Sequence, residues 1–71
     1  MVASIQVDAR GRSCPEPVMM AKKAVDQGHK EFMVLVDSEA ARDNVSRFVK
    51  SQGLRVQVEE RGDEYVLQVN G

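Results

Sequence analysis

Apolar and polar residues alternate over Ser4-Ile5-Gln6-Val7-Asp8, the period-two pattern of a short strand with one buried face. Ala9 to Ser13, with Gly11 inside, reads as a loop. From Pro15 the period changes. Val18, Ala21 and Val25 recur at helical spacing with Met20 and Ala24 beside them, while Lys22, Lys23 and Asp26 fall outward. Gly28 stands where a glycine would end that helix. Phe32-Met33-Val34-Leu35-Val36 is an unbroken apolar run, as in an inner strand covered on both faces. Asp37 or Ser38 is placed to cap a second helix, which carries Ala41, Val45, Phe48 and Val49 on one side and closes at Gly53. Leu54 to Val58 and Tyr65 to Val69 alternate again, and Arg61-Gly62-Asp63 between them marks a hairpin turn.

The order βαβαββ predicts an α+β fold, a two-layer sandwich with a mixed four-stranded sheet and both helices on one face. Right-handed crossovers make the first three strands parallel and the last antiparallel to its neighbours. The other sheet face is then open. Either Met33 and Leu35, or Phe32, Val34 and Val36, point outward there together with Val66. That face reads either as an ordinary surface with scattered apolar side chains or as a docking surface for a partner or a second domain.

Composition narrows the classes. Seventy-one residues make one domain, 1–71, near the size at which a core holds without staples. With Asn70-Gly71 directly after a strand, that domain reads either as a whole protein or as the N-terminal domain of a longer one. Ten basic against eleven acidic residues give a net charge of −1, and the only aromatics are Phe32, Phe48 and Tyr65. Neither property suits direct nucleic-acid binding. No apolar run reaches membrane-spanning length, and the N-terminus lacks the charged and apolar regions of a signal peptide. The cytoplasm is the expected compartment, and its reducing conditions suit a free thiol. Cys14 and His29 cannot supply four zinc ligands, and one cysteine forms no internal disulfide. No metal or cofactor is expected.

The remaining chemistry concentrates at Cys14. Proline disfavours the α region for the residue before it, and Pro15 suits the first helical position. Cys14 is therefore expected at the N-cap, where free N–H groups and the helix dipole favour a thiolate. Pro17 would then fall at N3, leaving mainly the Glu16 and Val18 N–H groups for the sulfur; alternatively, the regular helix starts at Pro17. Arg10 and Arg12 add positive potential and Glu16 opposes it. No resolving cysteine follows, because Pro17 stands where Cys-X-X-Cys would place it. His29, the only histidine, lies about four turns (roughly 20 Å) away along the helix, too far to serve as a base. What such a thiol does unaided is carry a group, taking sulfur as a persulfide and passing it on. The plain alternative is a small buried hydrophobe.

Asp8-Ala9-Arg10-Gly11-Arg12-Ser13-Cys14-Pro15-Glu16-Pro17 resembles the D-x-x-G-x-x-C-P-x-P signature of the TusA/SirA/YedF-like sulfur-carrier family. The resemblance spans the chain and implies the same βαβαββ sandwich. It assigns the persulfide to Cys14, the shaping of the helix start to Pro15 and Pro17, the loop glycine to Gly11 and the acidic end of the first strand to Asp8. Asp8 also has an ordinary role open to it as a loop-capping acceptor. Arg12 departs from the pattern, which often has leucine there, and so bears on which partner docks. Val34 to Val45 and Ser51-Gln52-Gly53 resemble most the N-terminal domain of YedF-like proteins, associated with sulfur or selenium metabolism. The implied partners are a cysteine desulfurase or rhodanese-like sulfur donor and a downstream acceptor protein. A carrier restored by its partners, with no general base of its own, is an enzyme only by definition.

Other residues have plainer readings beside functional ones. Met19 and Met20 line either a sulfur-friendly docking surface or a helix flank. Lys22, Lys23 and Lys30 form either a docking patch or a solvated face. Arg42, Arg47 and Lys50 have Glu39 and Asp43 at pairing distance along the second helix. A carrier, an interaction module using the open sheet face, a selenium-metabolism accessory domain and a nucleic-acid-binding domain are the classes to separate, the last being the weakest.

Overall fold

A computed structural model describes residues 5–13 and 15–71. Strand β1 (Ile5–Asp8) leads to helix α1 (Glu16–Asp26), strand β2 (Phe32–Val36), helix α2 (Glu39–Ser51) and the hairpin β3 (Arg55–Arg61) and β4 (Glu64–Asn70). The sheet order is β1-β2-β4-β3. β1 and β2 are parallel, and β4 runs antiparallel to both β2 and β3. The first three strands therefore share one direction and the last opposes them, as the crossover argument requires.

Phe32, Val34 and Val36 of β2 and Leu67 and Val69 of β4 form the core with Ala21 and Ala24 of α1 and Ala41, Val45 and Val49 of α2. Alternation along the strands then turns Met33 and Leu35 to the other face, which resolves the choice left open by the apolar run. Leu35 pairs with Val66 across the sheet, and the two are buried (9% and 6% exposed) although no helix covers that side. Part of the reason is a polar strap. Asp8, at the end of β1, and Glu64, at the start of β4, both bind Arg10, whose guanidinium thus crosses β2 on the Leu35 face.

Both helices end in Schellman motifs. In α1 the Gly28 and His29 N–H groups donate to the carbonyls of Val25 and Ala24; in α2 those of Gly53 and Leu54 donate to Lys50 and Val49. Both glycines have positive φ (89° and 81°), which explains their identity. The hairpin turn has positive φ at Gly62 alone, the pattern of a type II′ turn.

Candidate functional site

The site is built from the loop after β1. Ala9 is buried and its N–H continues the parallel ladder to the Leu35 carbonyl at 2.9 Å. The Asp8 carboxylate accepts the Arg10 backbone N–H at 3.2 Å and its guanidinium at 2.9 Å through both oxygens. This is the loop-capping role open to Asp8, with a bidentate ion pair added. These bonds hold the exposed Asp8 carboxyl down at about 2. They likewise raise the Arg10 guanidinium, with Glu64 contributing. Arg10 is thus committed to two carboxylates on the sheet side.

The Arg12 N–H donates to the Ala9 carbonyl at 3.3 Å, closing a turn with Gly11 at its third position and φ of 73°. That is a type II turn, which needs a residue tolerant of positive φ there. Open space surrounds the missing Cβ, so backbone conformation alone demands the glycine. The Gly11 N–H points at Asp37 and donates to its Oδ2 at 2.8 Å. Sequence reading considered Asp37 only as a helix cap; Ser38 is the cap instead, its Oγ accepting the Ala41 N–H at 3.1 Å.

The start of α1 departs from the expected register. Pro15, at φ −100° and ψ 18°, is the N-cap, Glu16 is the first helical residue and Pro17 falls at N2. The N-cap expected at Cys14 is therefore one residue later, and neither N3 for Pro17 nor a helix beginning at Pro17 holds. The physical cause is visible at Glu16. Its N–H, expected to face the sulfur, donates to the Ser13 carbonyl at 2.9 Å, and the Pro15 carbonyl takes the Met19 N–H at 3.0 Å. Cys14 itself lies outside the described residues.

Its sequence neighbours Ser13 and Pro15 both line a cleft of about 70 Å³ between the two helix starts, shared with Arg12, Pro17 and, from α2, Ser38 and Ala41. Pro17 is fully buried and anchors α1 there. Arg12 stands 3.7 Å from Glu16, an exposed pair that offsets part of the positive charge. Met19 is 60% exposed and does not line the cleft, whereas Met20 packs against the core, so the two methionines separate. Lys22 pairs with Asp26, and Arg42 pairs with Asp43 while lying over the Tyr65 ring at 4.9 Å. His29 sits at the far end of α1. No described helix is long and apolar enough to cross a membrane.

Comparison with known proteins follows the same outline. The family described as sulfurtransferase TusA matches residues 5–71. A candidate sulfur carrier protein of Methanocaldococcus jannaschii is 33% identical over 58 residues, covering 79% of this chain and 77% of that protein. One from Archaeoglobus fulgidus is 34% identical over 64 residues, covering 87% and 83%. The crystal structure of a SirA-like protein from Desulfitobacterium hafniense superposes with a TM-score of 0.79 at 33% identity, covering 94% of this chain and 97% of that one. With the match running from β1 to the last residue and the same fold in a solved relative, this chain belongs to the TusA family.

Proposed function

We propose that this chain is a sulfur carrier that holds a persulfide on Cys14 and relays its outer sulfur between partner proteins. The observation that carries the reading is the construction of residues 8–13. An Asp8-capped turn, a type II turn at Gly11 and the Asp37 bond fix the loop that precedes Cys14 in sequence. Family membership, and relatives described as sulfur carriers, support the same role.

The step balances without a cofactor. The Cys14 thiolate attacks the terminal sulfur of the donor's persulfide, a new S–S bond forms at Cys14, and the donor cysteine leaves as a thiolate. A cysteine desulfurase or a rhodanese-like protein is a donor of this kind. Delivery repeats the exchange, with an acceptor thiolate attacking and Cys14 as leaving group. No general base is needed when the attacking sulfur is already ionised. A reducing compartment such as the cytoplasm keeps the carrier ready.

The rival reading, a module that binds through the open sheet face, finds little surface there. The large hydrophobics exposed among the described residues are Met19 and Val58, and neither lies on that face; Val58 pairs with the core residue Leu67 on the helix side. Intact-mass measurement after incubation with a cysteine desulfurase and cysteine tests the carrier directly. The wild type is expected to gain one sulfur atom, removable by reductant, and Cys14→Ser to gain none. A wild type that stays unloaded with every donor class, its thiol still open to alkylation, would overturn the reading.

A further inference from the structure

We propose that Asp37 is a positioning residue for sulfur transfer, holding the loop that leads into Cys14 against the start of α2; this role rests on the carrier reading above. Strands β1 and β2 are parallel neighbours with Asp8 opposite Leu35, so residue 37 emerges level with the loop after β1. Its Oδ2 takes the Gly11 N–H at 2.8 Å, a charge-assisted bond between residues 26 positions apart. The next residue, Ser38, caps α2 and lines the same cleft as Arg12, Ser13 and Pro15. One carboxylate therefore ties the two walls of that cleft together.

The loop has other bonds of its own. Arg12 closes onto Ala9, Glu16 onto Ser13, and Arg10 onto Asp8 and Glu64. Removing the Asp37 acceptor leaves these turns intact and frees the loop from α2. The effect thus belongs to placement, and small displacements of a reacting group are costly in rate.

The test follows the rate of sulfur loading by time-resolved intact mass, with hydrogen exchange at the Gly11 amide and the melting temperature read on the same samples. Asp37→Ala is expected to load about tenfold slower or worse, with faster Gly11 exchange. Asp37→Asn keeps an oxygen that accepts the N–H, so it should restore most of the rate. A merely structural role predicts instead that loading tracks melting temperature across the variants, and that result would overturn the proposal. So would Asp37→Ala loading at the wild-type rate, or Asp37→Asn falling as far as alanine. Should Asp37→Ala fail to fold, Asp37→Glu, which moves the acceptor by one methylene, replaces it under the same criteria. A wild type that takes no sulfur is a different failure: it removes the carrier reading, while slow Gly11 exchange would still report the bond.

Discussion

Helices α1 and α2 finish alike, each on a glycine that closes a Schellman motif, but their starts are built differently. Each has a glutamate in its first turn, but α2 starts as isolated stable helices do, with a serine hydroxyl on the N–H three residues along. α1 starts on two prolines with no side-chain cap, and support comes from outside it: the Ser13 carbonyl on Glu16, the type II turn, and Asp37 from the end of β2. A helix needing only to be stable has a simpler solution, displayed by its neighbour in the same chain. The elaborate start, next to Cys14 in sequence, is where the fold spends structure on geometry.

The strongest way to break this contrast is at the cysteine. Cys14→Ser is expected to abolish sulfur loading while leaving the melting temperature close to wild type, read by intact mass and calorimetry. A large loss of stability would return Cys14 to the role of a buried hydrophobe. Gly11→Val comes next. A branched residue at φ of 73° should cost about 1–2 kcal/mol and slow loading as well, because the strain sits in the turn that delivers the motif. Ser38→Ala removes the cap of α2 and should cost about 1 kcal/mol, without the loss of loading specific to the loop.

The smallest effect is acid-dependent. Arg10 depresses the Asp8 carboxyl from 3.8 to about 2, so the folded state favours its ionised form. The stability this contributes is present above the ordinary value, declines below it, and is gone once pH has fallen through about 2. Asp8→Asn should therefore lower stability at neutral pH, flatten the acid limb of the pH–stability curve within that window, and match the wild type once pH has fallen through about 2. An unchanged acid limb would mean that the strap contributes nothing to folding.

Much of this was legible in the chain. Period two placed β1, β3 and β4, an unbroken apolar run placed β2 and period 3.6 placed both helices, while the glycines marked both helix ends and chain order predicted the strand directions. The long-range bonds were not legible. Asp37 meets Gly11 only because parallel β1 and β2 end level, and Glu64 meets Arg10 only because β4 lies beside β2. Local propensity encodes neither register. The start of α1 shifted by one residue because the Ser13 carbonyl claims the Glu16 N–H, a competition that the preference of prolines alone does not reveal.

The most direct test of the central claim sets the two helix starts against each other. Ser38→Ala and Gly11→Ala would be loaded with sulfur by the same desulfurase, at temperatures equally far below their melting points, and their rates compared by intact mass. The account predicts that the Ser38 variant loads at the wild-type rate and the Gly11 variant clearly slower. Equal rates in both variants would contradict it, because the start of α1 would then be a matter of stability like that of α2.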